Sequence, residues 1–177
     1  DYYQHGAANV HRAQHLPGER ATRAFEAVRE QIAHWLNAAS SEQIVFTRGS
    51  TEALNLLAYG LEHQFQPGDE IVISALEHHA NLLPWQQLAH RTGAELTWLP
   101  LTDDGRLDLV HLDEIIDART KVVSFVHQSN ILGTINPVAP IAARARAADR
   151  RARRCPAQPA RHDRRPAHRG RQHLRGP

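Results

Sequence analysis

Apolar runs of four to eight residues alternate with stretches of helical periodicity, and this alternation narrows the fold more than composition does. The runs are residues 44–47, 70–74, 95–99 and 120–127. Between them, Phe25, Val28, Ile32, Trp35 and Leu36 recur at helical spacing after Pro17-Gly18, as do Leu54, Leu57, Ala58 and Leu61. Residues 81–92 read as a helix that tolerates Pro84 near its first turn. Asp108 is placed to cap a helix carrying Leu109, Leu112, Ile115 and Ile116. Gln66-Pro67-Gly68-Asp69 and Asp103-Asp104-Gly105 read as turns, and Pro137 as a first helical residue. Strands separated by helices predict βαβ units and an α/β fold with a mostly parallel sheet flanked by helices.

Ligands of such sheets bind in the loops at the carboxyl ends of the strands. Three loops qualify here: residues 48–51, 75–81 and 128–134. In the first, Gly49 permits a tight turn before a helix start, where free amides favour an anion and Ser50 and Thr51 add hydroxyl donors. The alternative is that Ser50 only caps the helix. The run lacks the Gly-Lys pair of a Walker A loop. In the second loop, His78 and His79 are adjacent. Zinc-binding pairs sit three to five residues apart, so no metal site is expected. A planar imidazole here can lie over an aromatic ligand or move protons; the alternative is two surface histidines. In the third loop, Asn130 can donate to an anionic or phenolic oxygen, and Gly133 relieves the turn. His11-Arg12 is a basic pair near the start, most simply a surface pair.

The net charge of +2 joins two unlike segments. Residues 1–143 hold 9 Lys and Arg against 17 Asp and Glu, whereas residues 144–177 hold 12 Arg against Asp149 and Asp163. After Ile141 the only Val, Ile, Leu or aromatic residue is Leu174. Such a stretch buries too little apolar surface to offset its ordering entropy. The expected division is therefore a folded part over 1–143 and an Arg-rich tail over 144–177, disordered beyond about Ala148 or read from a shifted frame. With one cysteine, Cys155, the chain can form no internal disulfide and no multi-cysteine zinc site. A cytoplasmic setting is the default. No apolar run is long enough to span a bilayer, and the first residues do not read as a signal peptide. There is no Met, which suggests a start inside a longer reading frame.

Taken together, the loops resemble the class V aminotransferase family, and within it the Suf-type (group II) cysteine desulfurases. The matching stretches, in order, are Gly6 to Arg12, Phe46 to Asn55, Pro67 to Ile71, Glu77 to Asn81 with Pro84-Trp85, and Ser129 to Thr134. The resemblance covers roughly residues 1–143. It implies an incomplete large domain of the fold-type I transferases that use pyridoxal 5'-phosphate. It also implies conversion of L-cysteine, or L-selenocysteine in a close relative, to alanine. The sulfur would leave as an enzyme persulfide for iron–sulfur cluster assembly. On this resemblance Ser50 and Thr51 bind the cofactor phosphate, and His78 stacks on the pyridine ring and assists proton transfer. Asn130 lies beside the phenolic oxygen, and His11 and Arg12 lie on the substrate side. A homodimer and a sulfur-acceptor protein are implied partners.

The departures are as informative. Pyridoxal phosphate needs a lysine for attachment and an acid on its ring nitrogen. The only lysine, Lys121, opens a strand and matches a structural position of the family. Cys155 does not match the persulfide cysteine, nor Asp163 the acid. These 177 residues are thus expected to be inactive alone, poorly stable and aggregation-prone. The rival readings are a non-catalytic remnant of the fold, another class V aminotransferase, and non-specific nucleic-acid binding through the arginines without base stacking.

Overall fold

The computed structural model describes residues 8–11 and 15–154, with side chains through Asp149. Arg12, Cys155 and Asp163 lie outside the described residues. Two compact units are formed, Asp1–Ala53 and Leu54–Pro177.

The first unit is built on helix α1, Leu16–Trp35. His15 caps it, its Nδ1 accepting the Gly18 N–H, and Pro17 occupies the first turn, where a missing N–H costs nothing. The helix matches the predicted periodicity, but the expected apolar face is not buried. Trp35 is 82% exposed and Val28 47%, while only Gly18, Ala21 and Ala33 are buried. Arg29 gathers the end of the unit: its guanidinium lies over the rings of Phe25 and Phe46, and Nη1 donates to the Ile44 carbonyl at 2.6 Å. Residues 44–47, predicted as a strand, have no strand partner among the described residues; Ile44 is extended but outside any ladder. Helix α2, Ser50–Leu61, then begins in this unit and runs into the second. Within the second, Ala58 is buried, but Leu57, expected on the core face, is exposed.

The second unit holds a three-stranded parallel sheet in the order β2-β1-β3, with β1 at Glu70–Ser74, β2 at Glu95–Leu99 and β3 at Thr120–Ser124. All five residues of β1 are buried, as expected of a central parallel strand covered on both faces. Strand alternation divides its side chains. Ile71 and Ile73 pack with Ala58, Trp85 and Leu88, whereas Val72 packs with Leu99, Leu112, Ile116 and Ile141 on the other face. Helix α3, His79–Thr92, links β1 to β2. It starts two residues earlier than predicted, which moves Pro84 out of the first turn. Gly93 ends it in the left-handed region (φ 75°), its N–H donating to the Ala89 carbonyl.

The predicted helix after Asp108 is one turn only, α4 at Leu112–Ile115. Asp108 instead accepts the Val110 N–H and caps a turn. Strand β3 ends at Ser124 rather than His127, because the next inward amide, Val126 N–H, goes to a side chain. Helix α5 spans Val138–Arg154 and outruns the expected end near Ala148. Alanine and arginine favour helix strongly, and that propensity carries it on. Arg144 fixes it: its Nη2 donates to the carbonyls of Asp113 and Ile116, and its Nε lies 2.8 Å from Asp113 Oδ1. No helix among the described residues is long and apolar enough to cross a membrane.

Candidate functional site

Because β1 and β3 are parallel neighbours, the loops leaving their carboxyl ends lie side by side. The first carries His78, the N-cap of α3. Its Nδ1 accepts the Ala80 N–H at 3.0 Å, which puts the ring proton of the neutral imidazole on Nε2. The ring is exposed and meets His79 edge-on, centroids 6.3 Å apart. Among the described residues no group of three His, Cys, Asp or Glu side chains converges to hold a metal.

Residues on either side of His78 in the chain form a hydrogen-bond network. Glu77 Oε1 accepts from the Ser74 hydroxyl at 2.5 Å and from Val126 N–H at 2.6 Å; its Oε2 accepts from Asn81 Nδ2 at 2.8 Å. Asn81 Oδ1 accepts in turn from Trp85 Nε1 at 3.0 Å and from the Ser124 hydroxyl at 2.8 Å.

The second loop is compact. Buried Ser129 accepts the N–H groups of Ile131 and Leu132 on its Oγ, and Gly133 takes the left-handed conformation (φ 72°) the turn requires. Asn136, 1% exposed, closes the loop, donating to the Val126 carbonyl and accepting Leu107 N–H. This arrangement leaves Asn130 exposed at the tip. Sequence reasoning singled out Asn130 and passed over Ser124 and Asn136; the Asn-Pro pair at 136–137 was the available turn signal for the latter.

In the first unit, Ser50 opens α2. Glu52 Oε2 accepts the Arg48 N–H at 2.6 Å, and the Gly49 carbonyl accepts the Ala53 N–H. Ser50 and Thr51 are exposed, and a Cβ placed on Gly49 would meet no atom within 4 Å. A helix start bearing two hydroxyls is a general setting for an anion. His11, in the left-handed region (φ 64°), donates its N–H to Thr22 Oγ1, and its Nε2 lies 3.0 Å from Glu26 Oε1. The imidazole is thereby engaged with α1.

Lys121 lies at the other end of the sheet. The β1–β3 register passes from Glu70↔Thr120 to Ile71↔Val122, so Lys121 is the extra residue of a bulge, and its Nζ lies 3.7 Å from Asp69 Oδ1. It borders a cavity of about 590 Å³ lined by Leu61, Phe65, Ile116, Val122 and Val123, along the free side of β3. The same end of the sheet holds buried Glu70, bonded by the hydroxyls of Thr97 and Thr120, and Arg119. The Asp117 hydrogen bond, aided by Glu70 and Glu95, holds the Arg119 guanidinium above its ordinary pKa. Lys121 therefore does not fit the attachment role for a cofactor held at His78 and Asn130.

A parallel sheet flanked by helices, with polar loops gathered at its carboxyl edge, defines an α/β domain. The aminotransferase class-V model matches residues 1–152, and the chain belongs to that family. It is similar to a probable cysteine desulfurase of Pseudomonas putida, 62% identical over 146 residues that make up 82% of this chain and 36% of that protein. A cysteine desulfurase of Serratia proteamaculans is 50% identical over 149 residues, 84% of this chain and 37% of its own length. Among solved structures, the apo cysteine desulfurase from Thermococcus onnurineus NA1 superposes with a TM-score of 0.78 at 41% identity. That match covers 83% of this chain and 36% of that one. The chain thus spans little more than a third of the length of these relatives.

Proposed function

We propose that these residues form the phosphate-binding and ring-side part of a pyridoxal-phosphate-dependent cysteine desulfurase. The observation that carries the reading is His78, presented at the carboxyl end of β1 beside the loop bearing Asn130. The relatives named cysteine desulfurase support it. Ser50 and Thr51 would hold the phosphate at the start of α2, and His78 would cover the pyridine ring, its Nε2–H free to exchange a proton. Asn130 would donate to the phenolic oxygen, and His11 and Arg12 would face the substrate. When bound, the cofactor supplies the electron sink for bond cleavage at the substrate's α-carbon. The whole protein would act on L-cysteine, or L-selenocysteine, in the cytoplasm, with a second copy of itself and a sulfur-acceptor protein as partners.

A second reading has its own support. Lys121 is the only lysine and is held at the opposite end of the sheet by Asp69. These 177 residues would then bind the cofactor without covalent attachment and release neither alanine nor sulfide from cysteine. Pyridoxine 5'-phosphate, which lacks the reactive aldehyde, separates binding from attachment. Calorimetric titration should show binding that weakens about tenfold or more in Ser50→Ala, the effect of one lost hydrogen bond to a charged group. Lys121→Ala should leave it unchanged. Absence of binding by the unmodified chain overturns the proposal. The division after Ala143 belongs to the same reading, and the coding DNA read in three frames beyond that codon tests it. A frame that spells a further strand and a lysine-bearing stretch marks the tail as read from a shifted frame; if no frame does, the tail is real and these residues belong to a non-catalytic remnant.

A further inference from the structure

Glu77 lies in the loop after β1, between the end of the strand and His78, and three donors converge on its two oxygens: the Ser74 hydroxyl, Val126 N–H and Asn81 Nδ2. A carboxylate, with two oxygens that only accept, can take all three. Its bond to Val126 replaces the next rung of the sheet. The β1–β3 ladder ends at Ile73↔Ser124, and Ala75 N–H turns the other way, to the Leu99 carbonyl. Asn81, four residues on, takes the Ser124 hydroxyl. Two side chains that bracket His78 thus grip the end of β3 at residues 124 and 126.

The grip continues into the second loop. Val126 is held by its N–H to Glu77 and by its carbonyl to Asn136 Nδ2, and Asn136 N–H donates to the His127 carbonyl at 2.7 Å. Hydrogen bonds thus tie Glu77 to Val126, Val126 to Asn136, and Asn136 to His127, and the last two residues flank the stretch carrying Asn130.

We infer that Glu77 is a positioning residue, whose carboxylate locks the His78 loop to the end of β3 and so fixes His78 relative to the Asn130 loop. The inference rests on the proposal that His78 and Asn130 serve the ring side of the cofactor. Glu77 is not itself a catalytic group, since both its oxygens are occupied within the loop. Glu77→Gln replaces one acceptor oxygen by an NH2 donor, which must then face another donor.

The test uses the full chain labelled with 15N. In the unmodified protein the Val126 amide should exchange about a hundredfold more slowly than an unprotected amide. The His78 ring should show the 15N signature of a fixed tautomer, Nδ1 unprotonated. In Glu77→Gln, Val126 protection should fall about tenfold or more, and the His78 signature should move toward the average of two exchanging tautomers. Pyridoxine 5'-phosphate should also bind more weakly. Ile141→Val, a core change of similar cost on the other face of the sheet, should leave the His78 signature intact. A Glu77→Gln protein with unchanged Val126 exchange and an unchanged His78 ring overturns the inference, whatever the cofactor does. If those two signals change but the unmodified chain binds no pyridoxine 5'-phosphate, the clamp stands and the cofactor reading falls. Should Glu77→Gln fail to fold, the unmodified protein decides: a fast-exchanging Val126 amide overturns the clamp.

Discussion

At Asp104 several neighbours act on one carboxyl group. Thr102 Oγ1 lies 2.5 Å from Asp104 Oδ1, and Arg106 Nε lies 3.1 Å from Oδ2. The Thr102 hydrogen bond is the larger influence, and with Arg106 it holds the carboxyl below the usual aspartate range. A folded-state pKa below the unfolded value means the contribution to stability is present above the ordinary aspartate pKa and is lost as pH falls through the lowered one. Thr102→Ala removes the hydroxyl, so the Asp104 titration midpoint, followed by carboxyl 13C shifts, should move up toward the ordinary value. No movement would mean that the hydroxyl does not bond the carboxylate in solution. The same turn presents Gly105 to the second loop: a Cβ there would fall 2.6 Å from Leu132 Cδ1, and the Gly105 carbonyl accepts from Thr134. The sequence displays Asp103-Asp104-Gly105 as a turn but not its packing partner, because that partner lies 27 residues away. The same limit hid Glu77's role. Its place in a motif is legible locally, whereas its donors come from Ser74, Asn81 and a strand end 49 residues on.

Elements whose character is set locally were read well. Strands β1 and β2 lie where the apolar runs put them, and the turn at Gln66 to Asp69 has Gly68 in the left-handed region its position demands (φ 90°). Elements set by distant partners were read less well. β3 is short because a side chain takes its next amide, and α4 is one turn because residues 108–111 are held in turns. The run at 44–47 has β propensity but no ladder to join. The junction of α3 and β2 gives a direct test of local geometry. Gly93 has φ 75°, its N–H and carbonyl both serve hydrogen bonds, and a Cβ there would lie 3.3 Å from Pro67 Cβ. Gly93→Ala should therefore destabilise the protein by about 1–2 kcal/mol through the left-handed backbone alone, with the contact to Pro67 adding to it. Urea unfolding measures this; a neutral result would show that the chain can leave the left-handed conformation without loss.

For the molecule as a whole, the two units differ in what holds them. The second has a strand buried at every residue, with apolar clusters on both faces of its sheet. Among its described residues, the first relies on a single long helix whose large apolar residues mostly face solvent, on two buried alanines, and on Arg29 bound to Glu26 and flanked by two phenylalanine rings. Burial of large apolar groups is the main source of cooperative stability, and ion pairs at partly exposed sites add little. Local opening free energies should follow that difference. Hydrogen exchange read by mass spectrometry should find the amides of β1 the slowest in the chain. Those of α1 should exchange faster by at least about tenfold, despite the helix's length. Equal protection in α1 and β1 would mean that the apolar face of α1, including Trp35, is covered in solution. The poor stability expected from the sequence would then have to be given up for the first unit.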